Sequence, residues 1–256
     1  MIAIENSPLQ YRIITVDETA STNDLAKEYA RQGASEGLVI TAKRQTQGRG
    51  RRGREWYSQT GGLYFSILLR PNLPFTEMAK TTLLAGVAAV ETLRQHYRAA
   101  AELKWPNDVI IAGRKIAGIL TEGSINPGGS NYIIVGIGVN TNPPAEPLPE
   151  SIRVRAGFLS DFTNLTIENQ VLLRQFLNHF NQHYVRFAQG KHHEFLKLVR
   201  CYTRMLGQEI IITEEKATYH AKAVDIDETG ALIVKKSDGT IRTLLAADVS
   251  IRSQSI

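Results

Sequence analysis

Cysteine is nearly missing from this chain: Cys201 is the single one in 256 residues. One thiol cannot build an intramolecular disulfide framework, and its scarcity fits a reducing compartment, so a cytoplasmic protein is expected. Long apolar runs are missing too. Leu83–Val90 and Tyr132–Val139 are the longest, far short of the ~20 residues a bilayer-spanning helix needs, and no membrane partner is expected. The opening residues, MIAIENSPLQ, contain neither a basic stretch nor a long apolar one, so no secretory signal is visible. Low-complexity tracts and internal repeats are absent. With 43% hydrophobic and 21% charged residues, a chiefly disordered chain is excluded and there is ample material for a buried core.

Acidic residues are missing from one place in particular. The formal net charge is +5, from 30 Lys and Arg against 25 Asp and Glu. Lys43, Arg44, Arg49, Arg51, Arg52 and Arg54 fall in one window without a single acid. Without those six, the remaining bases fall one short of the 25 acids. The basic character therefore belongs to one short segment, which calls for a local anionic partner rather than a broad polyanion.

The rest of the chain reads as alternating strands and helices. Tyr11–Val16, Gly37–Ala42 and Leu63–Leu69 have the composition of strands. Ser21 or Thr22 is placed to cap a helix that carries Asp24 in its first turn and ends at Gly33. Gln45–Trp56 has three glycines and no apolar period, so a loop is expected. Thr76–Tyr97 is a long, mostly apolar helix. Ala101–Trp105 is a short strand stopped by Pro106; Val109–Ala112, a Gly113 turn and Lys115–Thr121 form a hairpin; Tyr132–Val139 is a buried strand. The Pro143–Pro149 loop precedes a helix over Thr166–Ala188. Beyond Leu206 come five short strands (Glu209–Thr213, His220–Ile226, Ala231–Lys235, Thr240–Leu244 and Val249–Arg252), the pattern of a small barrel. The expected division is a domain over 1–206 and a barrel over 207–256.

Four motifs carry chemistry. Gly48–Arg54, GRGRRGR, combines glycines that let backbone N–H groups meet an anion with always-charged guanidinium forks. So many like charges should leave that loop mobile without a ligand; a solvated, RGG-like nucleic-acid segment is the competing reading. Lys104–Asp108, KWPND, with Gly113–Gly118, GRKIAG, brings lysines and a carboxylate together, as suits a phosphate with Mg²⁺, or else an ordinary hairpin ion pair. In Gly136–Asn140, GIGVN, the small residues would let a planar group lie on the backbone and the asparagine amide could read a base edge. Ser21-Thr22-Asn23 is a helix cap that could also hold a polar ligand. His179 and His183 share a helix without the further ligands a metal needs, His192-His193 opens a helical segment, and Cys201 is expected in a core.

In this order, STN, Q-x-x-GRGRxGRxW, KWPNDV…RKIAGIL and GIGVN resemble the biotin–protein ligases, with residues 11–142 matching by motif and the remainder by architecture. The resemblance implies an α/β (α+β) fold of the class II synthetase type: a mixed, largely antiparallel sheet backed by helices, with a C-terminal SH3-like β-barrel. It implies ATP and biotin as substrates, Mg²⁺, biotinyl-5′-AMP as intermediate, and a lysine of a biotin carboxyl carrier domain as acceptor. By the same match Arg49, Arg51, Lys115 and Asp108 are the catalytic group. Ser21, Thr22, Asn23, Gln45, Gly48, Arg49, Trp56, Lys115, Gly118 and Gly138 would hold biotin. Arg51, Arg54, Lys104, Trp105, Asn107, Asp108, Lys115 and Asn140 would hold the adenylate, with Asp108 toward the metal. Only about twenty residues precede Ser21, so the winged helix that binds operator DNA in bifunctional relatives is not expected. Sheet-edge homodimers occur in that family, and no residue decides for or against one. A lipoate–protein ligase would share the fold but carry an R-R-x-S-G-G-G-type motif in place of GRGRRGR; a basic nucleic-acid module would spread its charge more widely.

Overall fold

The computed structural model describes residues 9–124, 131–214, 217–245 and 247–251. Its larger sheet has seven strands: β1 (Arg12–Thr19), β2 (Leu38–Gln45), β3 (Leu63–Leu69), β4 (Glu102–Lys104), β5 (Asp108–Ile111), β6 (Arg114–Ser124) and β7 (Tyr132–Val139). They lie in the order β1-β2-β3-β7-β6-β5-β4. Only β1 and β2 run parallel; every other neighbouring pair is antiparallel, as expected for a mixed, largely antiparallel sheet.

Both faces are covered, which is why β3 and β7 are buried along their whole length. On one face lies α2 (Met78–Tyr97), with α4 (Asn169–Ala188) and α5 (His193–Tyr202) packed outside it. On the other lies α1 (Thr22–Arg31), over β2, β3 and β7. Strand alternation divides β7 between them: Ile133, Val135, Ile137 and Val139 join the α2-side core, whereas Ile134 packs under α1. Continuing by twos from Ile134 leads to Gly136 and Gly138, so past the N-terminus of α1 that face has no side chains to fill it. Truncating a fully buried α2 residue such as Leu84 should cost roughly 2–5 kcal/mol.

α1 starts at the extended Ser21, as the capping pattern suggests, and Gly33 closes the turn beyond it with φ +86°. The β5–β6 hairpin turns through Ala112 and Gly113, both at positive φ. A short α3 (Glu150–Arg153), not foreseen, follows the proline-rich loop. The C-terminal sheet contains β8 (Glu209–Thr213), β9 (Thr218–Ile226), β10 (Leu232–Lys235), β11 (Ile241–Leu244) and β12 (Asp248–Ile251), antiparallel in the order β11-β10-β9-β8-β12. All five expected strands are present; Arg252, placed at the end of the last, lies outside the described residues. Ile210, Ile212, Leu232 and Val234 join the same core as α2. The Trp105 indole N–H also reaches the Gly230 carbonyl, at 3.0 Å.

One expectation needs correction. Cys201 is exposed rather than buried: α5 turns Phe195, Leu196 and Val199 inward, and two residues past Val199 a helix faces outward. Gln45–Trp56 is a loop, as expected, and it has local structure: β2 runs to Gln45, the chain makes a 3₁₀ turn at Arg51–Gly53, and the Arg49 and Glu55 backbones form a β-bridge that closes the loop into a finger.

Candidate active site

The cleft lies where the glycines strip the α1 face of the sheet. Gly118 and Gly138 stand directly opposite each other on β6 and β7, in one row with Tyr64 on β3 and Asp108 on β5. The planar group lying on them is the Trp56 indole. A Cβ at Gly118 would come within 2.8 Å of that ring, and one at Gly138 would run into its Nε1. One step along β7, Gly136 makes room for the Asn23 side chain. Trp56 Nε1 is buried without a hydrogen-bond partner among the described residues, which marks a donor available to a ligand.

Ser21, Thr22 and Asn23, at the start of α1, are all buried beside this floor. Thr22 donates its backbone N–H and its hydroxyl to Gln45 Oε1, at 2.8 and 3.1 Å. Gln45 in turn donates to Ser58 Oγ at 2.9 Å. Ser66, fully buried on β3, lies 2.8 Å from Thr22 Oγ1 and 2.6 Å from Asn23 Oδ1. Asn23 Nδ2 donates to Glu122 Oε2 at 2.7 Å and to the Leu120 carbonyl at 3.3 Å. The Ser21 side chain makes no capping bond, so its hydroxyl faces the cleft without that task.

The basic window meets its acids in space rather than in sequence. Lys43 pairs with Asp17 at 2.7 Å, and Arg44 with Glu18. Arg49 grips Asp24 with both terminal nitrogens, one at 2.6 Å. Arg52 reaches Asp248 on β12 at 3.3 Å, and Arg54 binds the same oxygen. Asp24 is held below the usual carboxylate range chiefly by the hydrogen bond from Arg49. Glu122, which burial would raise, is held down by hydrogen bonds from Lys27 and Asn23.

Arg51 is different: among the described residues it has no ion-pair partner. Its Nη1 donates to Asn107 Oδ1 at 3.1 Å, and Asn107 spends its own Nδ2 on the Ile119 carbonyl. Burial pushes the Arg51 pKa down, the sign of a cation short of compensation. Nearby, Lys115 Nζ lies 2.6 Å from Asp108 Oδ1 and 5.1 Å from the centre of the Trp56 ring. A half-buried guanidinium beside a lysine, above an apolar floor, can hold a small dianion or two monoanions side by side.

Of the residues singled out in the sequence, Ser21, Thr22, Asn23, Gln45, Arg49, Arg51, Arg54, Trp56, Asn107, Asp108, Lys115, Gly118 and Gly138 line this cleft. Gly48 lies outside its lining, tight against the Trp56 backbone oxygen and Ser58. Lys104 pairs with Asp108 in the sheet but does not reach the cleft. Trp105 is buried in the core. Asn140 donates to the Lys115 carbonyl at 3.2 Å and faces a small neighbouring pocket with Tyr57 and Phe158. Ser66, Glu122 and Asp248 were not foreseen. Glu122 sits four residues beyond Gly118 in a strand of known direction, so a same-face count could have found it; Asp248 could not be found that way. No group of His, Cys, Asp and Glu among the described residues could by itself hold a metal ion.

Comparison with known proteins agrees with this geometry. Residues 16–140 match the biotin/lipoate A/B protein ligase family, and 205–252 match the biotin protein ligase C-terminal domain. The bifunctional ligase/repressor BirA of Bacillus subtilis is 32% identical over 93% of this chain and 74% of its own length. The biotin–[acetyl-CoA-carboxylase] ligase of Paracoccus denitrificans is 32% identical over 90% of this chain and 97% of its own. Among solved structures, the Aquifex aeolicus biotin protein ligase in complex with biotin and ATP superposes with a TM-score of 0.80, at 32% identity, covering 94% of this chain and 98% of that one. With this fold, this cleft and these relatives, the chain belongs to the biotin protein ligase family.

Proposed function

We propose that the cleft joins biotin to ATP, giving biotinyl-5′-AMP and pyrophosphate, and then passes the biotinyl group to a lysine of a biotin carboxyl carrier domain. The observation that carries this reading is Arg51, a half-buried cation that, among the described residues, hydrogen-bonds a neutral amide and has no ion-pair partner. In the first step a biotin carboxylate oxygen attacks the α-phosphorus and pyrophosphate leaves, so two anions must meet. Arg51 and Lys115 offset that repulsion, and because they are already in place they do so without reorganisation. The ureido head would lie by Ser21, Thr22 and Gln45, with Trp56 against the ring system. In the second step the lysine amine attacks the mixed-anhydride carbonyl and AMP leaves. Asp108 would take the proton once Lys115 turns to the phosphate.

Mg²⁺ would be held mostly by the nucleotide's own phosphate oxygens, with Asp108 as the nearest carboxylate, since a single carboxylate is a common protein share for this ion. Bound there, it withdraws negative charge from the phosphates. The pairing of Lys43, Arg44, Arg49, Arg52 and Arg54 with acids favours a small ligand over a polyanion. Biotin-dependent ATP–pyrophosphate exchange tests the reading, with lipoate and octanoate as controls. Exchange with biotin is the expected result; exchange with lipoate alone would move the chain to the lipoate branch, and none with any acid would end the proposal.

A further inference from the structure

Arg49 and Arg51 are two residues apart in one finger, yet their surroundings differ. Arg49 is satisfied on the side away from the cleft floor. Both its terminal nitrogens are on Asp24, one of them also 3.6 Å from Glu122. Glu122 in turn holds Asn23 at 2.7 Å and Lys27 at 2.6 Å. This cluster joins the first turn of α1, the C-terminal part of β6 and the root of the finger. At that root the Arg49 and Glu55 backbones form a β-bridge, and the Trp56 N–H donates to the Gly48 carbonyl at 2.9 Å. The orientation of Arg49 thus fixes the strand that carries Trp56.

We infer that Asp24 and Glu122 are positioning residues for the biotin side of the cleft, and that the Arg49 side chain anchors the finger instead of acting on the reacting anions. This rests on the biotin–ATP reading above. The Arg49 and Asp24 side chains are 35% and 44% exposed, and ion pairs that open to water add little to global stability. What a two-point fork supplies is direction. Asn23 ties the same cluster to the floor, where its side chain fills the space left by Gly136.

The test is Asp24→Asn, which keeps the shape and removes the charge, assayed by biotin-dependent pyrophosphate exchange beside the wild type. The Michaelis constant for biotin should rise about tenfold, the effect of one charge-assisted contact. Turnover and the constant for ATP should stay within about twofold. Asp24→Glu should recover most of the biotin affinity. Arg49→Lys, which loses the fork, should match Asp24→Asn, and the double variant should be no worse than either. An unchanged biotin constant, or a loss confined to turnover and ATP, overturns the inference. So does a lowered melting temperature with normal constants, since that is a purely structural role. If the wild type shows no exchange with biotin, the underlying reading fails and the inference falls with it; wild-type exchange with an unaffected Asp24→Asn removes the inference alone.

Discussion

The two ends of the arginine finger are held in opposite ways. At the Arg49 end, one guanidinium grips a carboxylate with both terminal nitrogens and has a second close by, with Lys27 beside both, all from elements of the large sheet and its helix. At the other end Arg52 and Arg54 share one oxygen of Asp248, which belongs to the C-terminal sheet, and the Arg54 side chain is 66% exposed. Between them Arg51 waits on a neutral amide. A cation gripped through both nitrogens, with a second acid close by, stays where it is; two cations crowded on one carboxylate oxygen can release it to a better anion, and phosphate is a better anion. The finger is thus built with a fixed root and an exchangeable tip.

Arg51→Ala should be the most damaging change, because it removes the one finger arginine with no ion-pair partner among the described residues. Loss of a preorganised charge of this kind lowers kcat by about 10²–10³, whereas Arg54→Ala at the shared tip should lose far less; equal losses would erase the contrast. Gly138→Ala attacks the root side from below. Its new methyl would meet the Trp56 indole, and biotin affinity should fall by about tenfold, which calorimetry would read, with the far-ultraviolet spectrum unchanged. Asp248→Asn frees the tip. The ATP constant should fall a few-fold, because phosphate no longer displaces a carboxylate, and trypsin should cut at Arg52 and Arg54 faster in the absence of ligands; a raised ATP constant would show that Asp248 serves the bound state instead.

The smallest expected effect lies away from the finger and serves as its control. Glu91 on α2 sits 2.7 Å from His183 Nε2 and 3.5 Å from His179 Nδ1 on α4. Burial would raise its pKa, but the two imidazoles beside it, His183 through a hydrogen bond, outweigh that and hold it at about 2. A depressed carboxyl adds stability that is complete above its ordinary value of 4.5 and is lost as pH falls toward 2. The melting temperature of Glu91→Gln should therefore approach that of the wild type below pH 4, after differing by roughly a few degrees at neutral pH. Biotin and ATP constants should not move.

Much of this was legible in the sequence because it rests on local rules. Alternation, helix caps and turn glycines place the strands and helices, and the glycines of GIGVN and of RKIAGIL announce a surface cleared of side chains. The partners of the arginines were not legible. Asp24 precedes Arg49 by 25 residues and Asp248 follows Arg54 by 194, so a window that is acid-free along the chain is nearly neutral in space. The loop itself was legible, but the acids that clamp it into a finger were not. Cys201 shows a lesser limit: apolar residues around a helix predict burial only when the face is counted, and Phe195, Leu196 and Val199 already claim the inward one.

That exposed thiol has a practical consequence. With one cysteine per chain, and that one at the surface of α5, a protein–protein disulfide can form only between two molecules, α5 to α5. Size-exclusion data collected without reductant would then report a covalent pair that has nothing to do with any native assembly. The same residue is a single chemical handle, able to carry one dye or one surface tether, remote in the fold from the finger whose two ends behave so differently.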